Sequence, residues 1–501
     1  MKHPDWAVKY RRSGTELRRI TETRYCLYEC SSVYDKEKKR ARKITGKYLG
    51  SITEEGGFKE SHKRVLEREL EEARQSSSPT SVPTPAAKVG AVKEYGLSRY
   101  IIDSQADTLE HLKRHFPEAW RRIVALVYCR LRHQSPLRYV QGDFADSFLS
   151  TQAGTRGLSA NALSGFMHEL GGMRPEMVAY MRELSAPGDC VIFDGSDILS
   201  ASRLMDYPQM SKTKIGTFDN VVNMMWVFNS SRQLPVYFRL LPGNIKDART
   251  FRLCLEDAGV TGGVAIVDKG FHSDENIKVL DGLSIKYTMS VRRSTKGLDY
   301  AAFASRDNSG ADGHFLYNGR LIWWKSQQIH GHDGFLYLDE VHRTEESGDY
   351  MRRVEDPKQE KYTMEGYRQK ALQFGTLALM STAGKDAEGT YLDYKTRGDV
   401  EQTIDVFKNC LEADCSYMQS EKSLEAWMFV NLVAMQWYYD IRCKLIESKL
   451  IAKISPMAMV RQLARARVVR VDNQWKTAEI TNLSFGSSDT LKIRYLQPIL
   501  L

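Results

Sequence analysis

Apolar and polar positions follow different periods along the chain. Tyr25 to Tyr34 (YCLYECSSVY) is rich in aromatic and β-prone residues, and Lys47 to Ile52 (KYLGSI) reads as a returning strand. Ser61 to Arg74 has the pattern of a charged helix. Ser76 to Lys88 (SSSPTSVPTPAAK) has three prolines and no aromatic residue, the composition of a linker. Beyond it, Leu109, Leu112 and Phe116, then Ile123, Leu126, Val127 and Leu131, recur at helical spacing, so 89–187 reads as a helical domain. At Cys190 the pattern changes. Cys190 to Phe193 (CVIF) is an apolar strand ending in Asp194, and Gly263 to Val267 (GVAIV) ends in Asp268. Between them, Val221 to Phe228 and Pro235 to Leu241 flank a polar turn and predict an antiparallel hairpin, with a helix from about Asp247. Strand, hairpin, helix, strand is an α/β layout with a mixed sheet.

Later segments predict a β-rich insertion over 292–390. Asn318-Gly319 between two apolar runs suits a type I′ hairpin turn, and Thr376 to Ser381 reads as a return to the main sheet. Helices follow around 396–411 and 423–447. Ser455-Pro456 has the form of an N-cap with proline at the first helical position, opening a last basic helix within 448–501.

The longest apolar stretch, Trp427 to Tyr439, is interrupted by Asn431 and Gln436. No run reaches the roughly 18 residues a membrane span needs. The first residues (MKHPDWAVKYRR) lack an apolar signal core, which argues against secretion and for a cytoplasmic protein. Eight scattered cysteines read as reduced thiols rather than a disulfide framework. Lys and Arg number 72 against 63 Asp and Glu, a net of +9. Of that excess, +6 lies between Lys36 and Lys47 (KEKKRARKITGK), which makes 1–75 a basic module. Such a run is either a solvated hairpin tip or a phosphate-binding patch. A second basic run, Arg461 to Arg470, favours a polyanionic partner.

The most informative stretch is Tyr391 to Lys408 (YLDYKTRGDVEQTIDVFK). At 100° per residue, Tyr394, Arg397, Glu401 and Lys408 fall within about 60° of one another on a helix. Val400, Ile404, Phe407 and Leu411 form a neighbouring apolar stripe. Asp399 and Gln402 have capping-box spacing, so the helix can instead start at Val400 and leave Tyr394 and Arg397 in the entry loop. An exposed helix with an incidental Arg397–Glu401 ion pair would look the same locally.

The pattern Y-(2)-R-(3)-E-(6)-K, read as Tyr394, Arg397, Glu401 and Lys408, resembles the signature of a group of DDE transposases from bacterial insertion sequences. Phe193-Asp194-Gly195-Ser196 resembles that group's first-strand aspartate, and Val267-Asp268-Lys269-Gly270-Phe271 its second. Pro242-Gly243-Asn244 and Gly46-Lys47-Tyr48-Leu49-Gly50 resemble further segments of it. The resemblance implies a ribonuclease-H-like core (188–291 and 391–447) interrupted by the β-rich insertion. The 133 positions from Asp268 to Glu401 leave room for that insertion. It implies Asp194, Asp268 and Glu401 as catalytic residues holding Mg²⁺ or Mn²⁺, two ions in all. It implies Tyr394, Arg397 and Lys408 as ligands of DNA phosphates. Lys269 either touches DNA or pairs with Asp268, and Lys38, Lys39, Arg40, Arg42 and Lys43 are the candidate phosphate-binding cations of the N-terminal module. Asp197 is the alternative first ligand; Asp194 is favoured because it directly ends the apolar strand.

The implied activity is a metal-dependent DNA endonuclease and strand transferase. It would act on terminal inverted repeats and target DNA as a homodimer assembled on DNA, in the bacterial cytoplasm at the nucleoid. The competing reading is a non-catalytic DNA-binding protein derived from a transposase. A haloacid-dehalogenase-type phosphohydrolase would carry an acid where Ser196 stands, and a tyrosine recombinase would need an HxxR box near its tyrosine, which Tyr394 lacks. Trp323 and Trp324 read as hairpin packing, and His330, His332 and His342 as ordinary polar residues.

Overall fold

The computed structural model describes residues 3–35, 40–61, 64–65, 89–212, 217–243, 248–356 and 358–478. Contacts divide the chain into two units, Met1–Ala87 and Lys88–Leu501.

In the first unit, β1 (Thr15–Arg19), β2 (Arg24–Asp35), β3 (Arg40–Thr53) and β4 (Gly57–Glu60) form an antiparallel sheet in chain order. Its core is small: Leu17, Tyr25, Leu27, Leu49 and Ile52, with Trp6, Tyr10 and Phe58 packed on it. That core stops halfway along the long strands. Arg40 to Tyr48 are all exposed although they pair with β2, leaving a two-stranded ribbon that carries Arg40, Arg42 and Lys43. Lys38 and Lys39, most of the charged segment 61–74 and the whole linker lie outside the described residues.

The second unit opens with β5 (Val89–Glu94), then a run of helices, so 89–187 is not purely helical. The main sheet contains β6 (Cys190–Ser200), β7 (Gln209–Lys212), β8 (Phe218–Asn229), β9 (Leu234–Pro242), β10 (Val264–Val267) and β11 (Lys286–Ser290). It continues through β12 (Gly313–Tyr317), β13 (Arg320–Ile329), β14 (His332–Asp339) and β15 (Thr376–Ser381), with β16 (Cys415–Ser416) beside β6. The central order is β9-β8-β6-β10-β11. β9 and β6 each run antiparallel to β8 between them, and β10 and β11 run parallel to β6. The strands of 292–390 extend this sheet, because β15 pairs antiparallel with both β11 and β14. That region also holds the helix Glu340–Glu355. Asn318 and Gly319 both have positive φ, 50° and 75°, as the β12–β13 turn requires.

Helices and sheet share one continuous core. At its centre lies the helix Glu421–Glu447, apolar nearly all round and buried for most of its length. It packs on β9 and on the helices Trp120–His133 and Ala160–Gly171. Gly171 permits that approach, since a Cβ there would lie 1.7 Å from the Lys422 carbonyl oxygen. The polar interruptions of this apolar helix have partners. Asn431 Oδ1 accepts from buried Arg130 Nε at 3.1 Å, and Gln436 Oε1 accepts from the Tyr180 hydroxyl at 2.8 Å. Among the described residues no helix is long and apolar enough to cross a membrane.

The C-terminal basic run departs from expectation. Pro456–Leu463 is helical with Ser455 as its cap, but Arg467–Val471 is β17, which pairs with β18 (Gln474–Thr477) and with β5. The Val468 side chain is buried there, so strand packing overrides the helical reading of a charged run.

Candidate active site

The sheet register aligns the two aspartates. Val267 of β10 pairs with Phe193 of β6, so Asp268 and Asp194 follow at the same level of neighbouring parallel strands, whose axes are about 4.8 Å apart. Contrary to expectation, β6 does not end at Asp194. It runs on to Ser200 against β8, and only its pairing with β10 stops there. Asp194 is buried, with the Gly195 N–H donating to its Oδ1 at 2.9 Å. After Asp268 the chain makes one 3-10 turn, Lys269–Phe271, which leaves Lys269 exposed.

Tyr394 lies in the helix Ala387–Lys395, not in an entry loop. Arg397 stands at the N-cap of the next helix, Gly398–Asp405, which carries Glu401. Arg397 bridges the acids: its Nη2 lies 2.7 Å from Glu401 Oε1 and its Nη1 3.6 Å from Asp268 Oδ1. Burial opposes its charge, but the fields of Asp268, Tyr394, Asp194 and Glu401 outweigh that and hold its pKa above the usual value. Arg397 Nε is buried and makes no hydrogen bond.

Tyr394 is itself buried. Its hydroxyl donates to Ser290 Oγ at 2.9 Å and to Asp268 Oδ1 at 3.3 Å, and burial pushes its pKa up. Ser290, at the end of β11, donates to the same Asp268 oxygen at 3.2 Å. Sequence reading missed Ser290; its one signal was a place at the end of the strand beside β10. Lys408 lies apart from this group. The backbone widens into a π-turn over Val406–Cys410, and Lys408 Nζ meets Asp197 Oδ1 at 2.8 Å. Asp197 is therefore engaged by Lys408.

Asp268, Lys269, Ser290, Tyr394 and Arg397 line an open cleft of about 690 Å³, with the Arg293–Glu346 pair at its far wall. Among the described residues, the three His, Cys, Asp or Glu side chains whose ligand atoms all fall within 4.8 Å of one another are His111, His115 and Glu183. The carboxylates of Asp194, Asp268 and Glu401 do not close to that distance. Mutual repulsion and the interposed guanidinium account for the spread. The other candidates have their own partners. Trp323 packs on His314 and Trp324 on Phe335; His330 lies against His272, and His342 pairs with Glu345 and Glu346.

Buried Asp194 and half-buried Asp268 lie side by side on central strands of the mixed sheet; Arg397 bridges Asp268 to Glu401 on a flanking helix, and Asp268 faces the open cleft. The family model described as "Transposase DDE domain" matches residues 185–436. The chain belongs to that family, whose members are metal-dependent nucleases and transferases. A solved structure titled as a cryo-EM piggyBac transposase synaptic complex with hairpin DNA is similar at TM-score 0.37 and 11% identity, over 69% of either chain. That likeness is too distant to assign a fold or a residue. No curated protein matches the sequence.

Proposed function

We propose that this chain is a DNA transposase of an insertion sequence. It binds terminal inverted repeats, cleaves DNA at the element ends and transfers the 3′ ends to target DNA. The supporting observation is the Asp194–Asp268 alignment on adjacent parallel strands, with Arg397 linking Asp268 to Glu401. The strand order β9-β8-β6-β10-β11, an antiparallel trio followed by two parallel strands, supports a ribonuclease-H-like core.

Asp194, Asp268 and Glu401 would hold two Mg²⁺ or Mn²⁺ ions, since hard cations take carboxylate oxygens. The fit rests on geometry: the Arg397 guanidinium meets Glu401 Oε1 at 2.7 Å and Asp268 Oδ1 at 3.6 Å, so these acids already converge on a cation. When bound, such ions make water or a 3′-hydroxyl a better nucleophile and stabilise the leaving 3′-oxygen. The chain's own groups do the rest. Ser290 and Tyr394 fix Asp268 by hydrogen bonds to one oxygen, leaving the other for a ligand. Arg397 would contact the scissile phosphate, its unpartnered Nε–H adding a donor. Lys269 on the cleft rim and Lys408 steer the strands as point charges. Lys38, Lys39, Arg40, Arg42 and Lys43 bind backbone phosphates, and two chains pair the ends.

The test is a supercoiled plasmid bearing the element's own ends. The wild-type chain cleaves it in Mg²⁺, while Glu401→Gln binds the ends without cutting. End binding with no cleavage by the wild type in Mg²⁺ or Mn²⁺ would overturn the catalytic reading in favour of a DNA-binding protein.

A further inference from the structure

The group His111, His115 and Glu183 plays no part in the cleft. His111 and His115 stand four residues apart on the helix Ala106–His115, so they share one face. Glu183 immediately follows the helix Arg174–Arg182. His111 Nε2 lies 2.9 Å from Glu183 Oε2, and His115 Nε2 lies 3.0 Å from Glu183 Oε1. The rings are 4.9 Å apart, and His111 is held by stacking on Tyr180 at 4.3 Å. Despite its short distance to the carboxylate, buried His111 Nε2 makes no hydrogen bond. Only Glu183 opens to solvent, with 44% of its side chain exposed against 12% and 13% for the histidines.

An ion-pair cluster explains this poorly. Arg114 Nη1 already meets Glu183 Oε2 at 2.7 Å, so the carboxylate has a charged partner without the imidazoles. Two imidazole nitrogens and one carboxylate converging from two helices form a nitrogen-rich donor set with an open side. Four-coordinate zinc takes such sets at about 2.0–2.1 Å per bond, with water in the remaining position. Magnesium, which takes oxygen ligands, does not suit it.

We propose that His111 Nε2, His115 Nε2 and the Glu183 carboxylate bind one zinc ion, at a site distinct from the carboxylate cleft. The ion ties two helices together seven residues before β6 begins, bracing the strand that carries Asp194. Arg114 competes with it for Glu183.

The test uses the full chain, stripped with a chelator and titrated with zinc. One zinc per chain is expected, with a rise in Tm that magnesium does not reproduce. Cobalt on the same wild-type chain should give the visible absorption of a four-coordinate nitrogen–oxygen site. His115→Gln should weaken zinc by at least about tenfold, while Glu401→Gln leaves it unchanged. Arg114→Gln should bind zinc more tightly, because a competitor is removed; in a plain ion-pair cluster its loss would give no zinc effect. A wild-type chain that takes up no zinc overturns the proposal, whether or not the variants fold. So does unchanged zinc uptake by the double variant His115→Gln, Glu183→Gln.

Discussion

Glu94 and Asp268 are both acids at strand ends in the larger unit, and their surroundings differ in kind. Glu94 is fully enclosed. It accepts from the Leu97 N–H at 2.6 Å, the Ser98 hydroxyl at 2.7 Å and the Tyr128 hydroxyl at 2.9 Å. Every one of those donors is neutral. Burial raises the Glu94 pKa, and its hydrogen bonds from Ser98, Tyr128 and Leu97 offset this only in part. Asp268 also has two hydroxyl neighbours, but its third is the Arg397 guanidinium, and its side chain faces a cleft. An acid closed in by neutral donors ties a helix start to the core. An acid that shares a guanidinium with Glu401, on an open face, is placed, on the proposed reading, to exchange that cation. Partner charge and openness, not burial, separate the two roles.

The largest expected contrast is catalytic. Asp268→Asn should lower cleavage by at least about a thousandfold, with little change in Tm, since the two hydroxyls keep a partner. Activity within tenfold of wild type would erase the distinction. Next comes stability. Glu94→Ala strands the Leu97 N–H and the Ser98 and Tyr128 hydroxyls in the interior and should cost about 3–4 kcal/mol in urea unfolding. Cleavage per folded molecule should not change. The smallest effect is in pH. The folded state holds the Glu94 proton more tightly than the unfolded chain, whose value is near 4.5. Its stabilising contribution is therefore complete below that pH and is lost as pH rises through the higher folded value. Wild-type stability relative to Glu94→Gln should fall from acid to neutral pH; a rise would show that the hydrogen bonds, not burial, dominate.

Much of the site was legible because each aspartate follows a short apolar run, CVIF or GVAIV, whose length and β-branching mark a buried strand. Parallel pairing of the two runs then aligned the acids. Glu401 could be read from helical spacing with Arg397. At Lys408 the π-turn after Asp405 departs from the 100° step, and the spacing gave no sign of its pairing with Asp197. The fold was less legible where partners are far apart in sequence. Nothing local in Arg467–Val471 announces pairing with Val89–Glu94, and its arginines masked the alternation of a strand. Likewise the i,i+4 histidines at 111 and 115 were not singled out, because the carboxylate that meets them follows another helix.

The helix Glu421–Glu447 also governs when the protein can become itself. Its buried face completes the packing of helices made some three hundred residues earlier, and β17 closes the edge of β5 later still. During synthesis, the first helical layer and the strands behind it emerge with their apolar faces uncovered. They must wait for nearly the whole chain to leave the ribosome before they can be sealed. A chain that stops short of residue 421 lacks the central helix of its core, so truncated copies should accumulate as aggregates rather than as competent fragments.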